Sequence, residues 1–264
     1  MPYRSVMLRH IPQEPVSRAA IWSRRLAVFS LPVGAIAVLL ARFAIVEPQA
    51  ALAVLGGAIV VALGAVLLFL AACVVIWQEG RRGLGEALGG LFLSAVTLGY
   101  PAYLAFEAVR LPVLADISTD TVDPPRFSLS KAALRARDGS PSPVFSADGR
   151  ERQRSAYPDV EPIVVDLEAD EAYQLVLKTA ASRGWRVVDQ RPAGGRSGVA
   201  QVDFVDRTLV MGFDDDIAVR LRPLAGQTRI DVRSASRYGR HDFGANAKRI
   251  QQFAEELQAE LNER

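Results

Sequence analysis

The side chains best placed to do chemistry gather in one segment, residues 233–249. There Arg233, Arg237, Asp242, Asn246 and Arg249 run out of a strand-like stretch, through a turn at Gly239, into a final helix. Asp215, from the acidic run Asp214-Asp215-Asp216, is the upstream acid that could join them. Two arrangements suit this set. Guanidinium forks beside a helix N-terminus can hold an anion such as a carboxylate or a phosphate, because unpaired backbone N–H groups add to the arginine donors. The same residues can instead close on one another and lock helix to sheet. The second is favoured, since Asp242 would itself occupy the helix terminus.

Other chemistry is poorly supplied. A catalytic site would have to be assembled from Asp215, Arg233, Arg237, His241 and Asp242. Ser234 or Ser236 with His241 can be drawn as a triad, but no nucleophile elbow surrounds either serine. The three adjacent acids at 214–216 lack the spaced oxygens and turn glycine of a calcium loop, and pairing with Arg233 or Arg237 suits them better. His10 and His241 have no cysteine or second histidine beside them, so zinc is not expected. Walker A and dinucleotide fingerprints are absent from the sequence, and no cofactor is called for. The single cysteine, Cys73, excludes an intramolecular disulfide and sits within an apolar run as packing.

The elements that must position these residues belong to a chain of two unlike parts. Its 264 residues are 50% hydrophobic with a net charge of +2. Residues 1–110 carry nine arginines and five acids, whereas residues 111–264 carry 22 basic and 24 acidic side chains. The first part is lipid-like and the second soluble-like. Neither has the basicity of a nucleic-acid binder, and the chain is too apolar to be disordered.

Three apolar runs, residues 26–46, 51–77 and 87–109, are each long enough to cross a bilayer as a helix. Small residues at four-residue spacing, as in Gly85-Glu86-Ala87-Leu88-Gly89, permit close helix contact. The first run follows a basic leader, residues 1–25, with Arg4, Arg9, Arg18, Arg24 and Arg25. The 47–49 loop has no positive charge, and the next loop holds Arg81 and Arg82. By the positive-inside rule the leader and the Arg81 loop are cytoplasmic, and the soluble part is periplasmic, on an inner membrane. Trp22, Trp77, Tyr100 and Tyr103 lie toward run ends, as interfacial anchors do. The first run is too long, and too far from the start, for a cleaved signal peptide.

Residues 111–161 form a proline-rich connector expected to be an extended tether, with a helix over 128–136. Within it, 116–127 holds short polar side chains suited to turns, with Phe127 as an apolar anchor. From 162 to 264 the pattern is strand, helix, strand, four further strands and a helix. The expected strands centre on 163–167, 185–189, 200–204, 209–213, 217–221 and 230–232. The first helix carries Tyr173, Val176, Leu177 and Ala180, with Asp170 as its cap and Gly184 at its end. The last begins near Phe243. This predicts an α+β domain, an antiparallel sheet with two helices on one face, attached to an all-α three-helix transmembrane bundle.

These residues resemble the domain of unknown function 1499 family. The resemblance rests on 116–127, on Gly184-Trp185-Arg186-Val187-Val188, on the stretch 213–220, and on Arg233-Ser234-Ala235-Ser236-Arg237 leading to Asp242-Phe243-Gly244-Ala245-Asn246 and Arg249-Ile250. It covers about residues 112–262, and the membrane part looks like the three-span version of proteobacterial members. The family brings no established activity. The expected role is a non-enzymatic module that meets an envelope protein or an anionic, lipid-like ligand through the 233–249 region and the adjoining sheet face. An envelope enzyme, or a structural subunit of a membrane complex, is the alternative.

Overall fold

The computed structural model describes residues 14–138, 145–194 and 198–263. The expectations for Arg4, Arg9 and His10 of the leader, and for residues 139–144 of the connector, lie outside the described residues. The chain divides into two compact units, here taken separately.

The first unit is built of α1 (Arg18–Arg42) up to Ala41, α2 (Pro48–Glu79) and α3 (Leu84–Arg110) up to Tyr103, the rest of α3 clustering with the second unit. All three are long and apolar enough to cross a membrane, with mean hydropathy of 1.7, 3.2 and 1.4. The first helix departs from its expected 26–46 at both ends. It begins within the basic leader, because helical hydrogen bonding does not stop where apolarity does. It ends at Arg42, where the chain turns and Ala44 takes a positive φ of 51°. Packing is inside-out relative to a soluble bundle. The buried face of α1 is Ala20, Ser23, Ala27, Ser30, Gly34, Ala37 and Ala41, alternating three and four residues apart. Large side chains such as Phe29, Leu67 and Phe92 point outward. Backbones approach closely only where side chains are small, and dispersion and hydroxyl bonds then hold the helices together. Ser23 donates its hydroxyl to the Ala65 carbonyl at 2.8 Å, and Ser30 meets Thr97 at 3.2 Å. Gly85 and Gly89, expected at a contact, have at most a side-chain edge nearby; Gly90 is the tight point.

The second unit is the α+β domain. Its elements are β1 (Asp116–Ser118), α4 (Lys131–Ala136), α5 (Ala147–Ala156), β2 (Ile163–Val165), α6 (Ala169–Ser182), β3 (Arg186–Arg191), β4 (Ala200–Arg207), β5 (Asp214–Pro223), β6 (Thr228–Ser236) and α7 (Ala245–Asn262). The six-stranded sheet has the order β1-β6-β5-β4-β3, and β2 pairs with the other half of the β6 edge. Every pairing is antiparallel. Strand alternation sends Val202, Phe204, Ile217, Val219, Leu221, Ile230 and Val232 to one face, where they pack against Leu175 and Val176 of α6 and Ile250, Phe253 and Leu257 of α7. Trp185 stacks on Phe253 with ring centres 4.9 Å apart. Each large side chain so buried contributes roughly 1.5–3 kcal/mol. Gly184, at φ 73°, ends α6 as expected. Its N–H reaches the Ala181 carbonyl, and Trp185 N–H reaches Ala180.

Three expectations need correction. Residues 209–213 do not form a strand. They are the turn of the β4–β5 hairpin, in which Thr208 N–H bonds the Phe213 carbonyl and Phe213 N–H bonds the Thr208 hydroxyl. The connector is not a tether either. It supplies β1, α4 and α5, and it clusters with the domain. Nor does Asp170 cap α6; Glu168 holds that position without a side-chain bond, and Asp170 lies in the first turn.

Candidate functional site

The expected site residues fall on two faces of the sheet. On the helix-covered face, β5 and β6 present Asp215, Ser234 and Ser236 to the first turns of α7. Arg249 is spent there completely. Its Nε donates to Asp206 at 2.7 Å, its Nη2 to Asp215 at 2.6 Å, and its Nη1 to Asn246 at 2.7 Å and Ser234 at 3.0 Å. Asn246 in turn donates to Ser236 and to the Ala115 carbonyl, and accepts from Ser234. Burial works against the Arg249 charge, but Asp215 and Asp206 outweigh it and hold the guanidinium above its ordinary pKa.

Asp242 stands at the entry to α7, accepting from Gly244 N–H at 2.9 Å and Asn246 N–H at 3.0 Å. It therefore satisfies the helix terminus as expected, from two residues before the capping position. Burial pushes its carboxyl up from the usual range, against the pull of those two N–H groups.

Arg233 and Arg237 lie on the opposite face. Arg233 forks onto Asp116 at 2.9 and 2.6 Å and donates to the Pro125 carbonyl. Arg237 forks onto Asp216 at 3.2 and 2.8 Å and donates to the Ala136 carbonyl. The acidic run is split in the same way, Asp215 facing the helices while Asp214 and Asp216 face away, so the three carboxylates do not converge on a cation. His241 accepts from Phe243 N–H and stacks on the Phe243 ring. The Ser234 hydroxyl is engaged by Asn246 and Arg249, not by His241. The catalytic set considered above is thus divided across the sheet.

Residues 119–137 run over that second face, and they hold the partners that sequence reasoning missed. Phe127 is buried between two guanidinium groups, Arg233 at 4.7 Å and Arg137 at 5.2 Å from its ring centre. Arg137 reaches Asp203 at 3.0 Å and Asp216 at 3.3 Å. Asp120 accepts from Arg222 at 2.7 Å and Arg229 at 2.9 Å, and Asp231 from Arg220 and Arg229. Outward charge on β5 and β6 was legible from alternation. What was not visible is that, besides Asp231 of β6 itself, their acidic partners Asp120 and Asp123 come from a segment about a hundred residues upstream.

Beside this strap lies an open groove of about 650 Å³. Its walls are Arg126, Leu129, Asp189, Arg191, Gln201 and Arg220, with Phe127 in its lining. Arg220 is neutralised by Asp123 and Asp231. Arg191 bonds the neutral Gln201 side chain at 2.8 Å, and among the described residues Arg126 forms no ion pair. Leu129 is 70% exposed on the rim. Asp189 accepts from the Ser128 hydroxyl. The groove therefore joins two guanidinium groups that have no carboxylate partner among the described residues to one exposed aliphatic side chain.

Comparison with known proteins gives little beyond the family. CalU16 from Micromonospora echinospora aligns at 12% identity over 37% of this chain and 83% of its own, with a TM-score of 0.17, which carries no argument about either protein. A search of curated proteins found no match. The family model described as Protein of unknown function (DUF1499) matches residues 116–257, from the first residue of β1 into α7. That match spans more than half of the chain and contains the whole sheet, and the chain belongs to this family.

Proposed function

We propose that the protein is an inner-membrane anchor presenting its α+β domain in the periplasm as a non-enzymatic binding module, and that the groove beside residues 126–130 receives the ligand. The ligand class is an anionic group, carboxylate or phosphate, on an apolar body, carried by an envelope partner or a lipid-like molecule. One observation carries this reading. The β5 and β6 arginines of this sheet face are held by aspartates, whereas among the described residues Arg126 and Arg191 are not, and Leu129 stands exposed in the same lining. In the 233–249 region, considered first, Arg233, Arg237 and Arg249 are already held by aspartates, and Arg249, Asn246 and Asp242 tie α7 to the sheet.

The orientation has its own support. Arg82 and the leader are tied by a backbone bond from Ser17 N–H at 2.8 Å, and Arg24 pairs with Glu86. Arg18, Arg24, Arg25, Arg81 and Arg82 therefore gather at one end of the bundle, the arrangement that retains that end in the cytoplasm.

The test is purification of the full-length protein in mild detergent, with native mass spectrometry of what remains bound. The expected result is a stoichiometric anionic species that disappears from a folded Arg126→Ala/Arg191→Ala variant. A species retained by that variant, or none in the wild type, overturns the groove assignment. Labelling a Gln227→Cys variant on intact cells with a maleimide that cannot cross the inner membrane decides the orientation; a label excluded from Gln227→Cys overturns it.

A further inference from the structure

The β4–β5 turn has the wrong chemistry for a hairpin tip in water. It reads Leu209-Val210-Met211-Gly212-Phe213, where turns are ordinarily polar. Leu209 is 86% exposed, and Phe213 is spent on Tyr238, its ring centre 5.6 Å away.

The turn also has company. β1 starts at Asp116, opposite Ala235, which lies opposite Asp216, which lies opposite Val205. The start of β1, the end of β4 and the end of β6 are thus at one end of the sheet. Val113, Tyr238 and Phe243 are exposed beside these strand ends, and so are Arg240 and Lys248, whereas Arg207 is paired with Asp214 at 3.0 Å. Only residues 111–115 separate β1 from α3, a reach of about 20 Å for an extended chain. An apolar tip and aromatic rings ringed by cations, tied this closely to an apolar helix, match what settles at a bilayer interface, where aliphatic tips enter the acyl boundary and cations meet phosphates.

We infer that this end of the domain rests on the bilayer surface, Leu209 entering the interfacial zone while Arg240 and Lys248 face anionic headgroups. The inference rests on α1–α3 spanning the membrane. Docking in this way turns the groove, at the opposite end of β4, away from the anchoring bilayer, so that its ligand arrives from a partner beyond it.

The experiment uses full-length protein in nanodiscs of phosphatidylcholine and phosphatidylglycerol. In a Cys73→Ala background, an environment-sensitive fluorophore is placed on Leu209→Cys, on Gln227→Cys, or on Leu67→Cys within α2. The expected result at Leu209→Cys is quenching by a lipid-borne quencher and loss of quenching by aqueous iodide, with the reverse at Gln227→Cys. Replacing phosphatidylglycerol by phosphatidylcholine, or introducing Arg240→Glu with Lys248→Glu, shifts the Leu209→Cys probe toward iodide. A probe at Leu209→Cys open to iodide while Leu67→Cys is lipid-quenched overturns this inference alone. A Leu67→Cys probe that lipid quenchers cannot reach overturns the membrane reading beneath it. Protection at Leu209→Cys from both quenchers also overturns the inference, by assigning the turn to a protein contact.

Discussion

Arg249 of α7 and Asp215 of β5 meet at 2.6 Å beneath the helix layer, with 6% and 1% of their surfaces exposed. Neither charge can be withdrawn alone. Arg249→Ala leaves Asp215 buried and unpaired, strips Asp206 and removes two bonds from the Ser234–Asn246 pair. Breaking a buried ion pair from one side costs about 3–5 kcal/mol. We expect Arg249→Ala to unfold at markedly lower denaturant and to accumulate poorly, with Arg249→Lys intermediate because an ammonium cannot fork. Chemical denaturation of the purified proteins decides it; an unchanged midpoint in Arg249→Ala would show the cluster to be dispensable for folding.

Two glycines in α3 provide a paired test of the bundle. A Cβ on Gly90 would stand 2.4 Å from the Ser23 hydroxyl and 2.9 Å from the Arg24 backbone nitrogen. Ser23 cannot swing aside freely, because its hydroxyl is bonded to the Ala65 carbonyl. A Cβ on Gly85 would meet nothing within 4 Å. Gly90→Ala is therefore expected to cost about 1–3 kcal/mol through overpacking, and Gly85→Ala to be neutral or mildly stabilising. Thermal unfolding in detergent compares them directly, and equal melting temperatures would refute the small-residue seam.

The contrast between those glycines also shows what the sequence could and could not reveal. Apolar length disclosed three spans, but the run Asp214-Asp215-Asp216 reads as one acidic group beside Arg233 and Arg237, whereas strand alternation sends Asp215 to Arg249 on the other face. The Leu209, Met211 and Phe213 alternation misled because a period of two records only which positions are apolar. It cannot tell a buried strand face from a turn closed by Thr208 and Gly212. β1 was missed for a different reason. Three residues carry no periodicity, and Asp116–Ser118 become a strand only through pairing with Arg233–Ala235. The strap contacts of Asp120, Asp123 and Arg137 depend on the same long-range pairing. So does the groove, which is formed by residues from the strap and three different strands.

Asp120 links the strap to the sheet, and its titration gives the link a pH signature. Its partial burial favours the neutral form, but the N–H groups of Asp123 and Val122 with Arg222 and Arg229 prevail and hold the carboxyl below its ordinary 3.8. A folded-state pKa below the unfolded one means stability that is present above the unfolded value and is lost as pH falls through the folded one. Wild type should thus exceed Asp120→Asn in stability at neutral pH, with the difference shrinking as pH drops below about 4. Denaturation midpoints of both proteins across that range give the curve. A difference that grows on acidification would reverse the assigned sign.

Tyr157 should behave in the opposite direction at the alkaline end. Its hydroxyl oxygen is buried with no hydrogen-bond partner among the described residues, and burial, with Asp242 and Glu107 nearby, pushes it up to about 12 from an ordinary 10.0. The folded state holds this proton more tightly than the unfolded chain, so the stability it supports is complete below pH 10 and is lost as pH rises toward 12. Tyr157→Phe removes the titration and leaves no donor unsatisfied. It should match or exceed wild type at neutral pH, because a buried hydroxyl without a partner costs about 1–3 kcal/mol. The variant should also lose less stability than wild type between pH 10 and 12. Tyrosinate absorbance in wild type follows the proton itself, and denaturation of the pair follows its consequence. A Tyr157→Phe protein destabilised at neutral pH would mean that the hydroxyl has a bonding partner in solution, and that the packing of Tyr157 near Gly244 is held by that bond rather than by the ring alone.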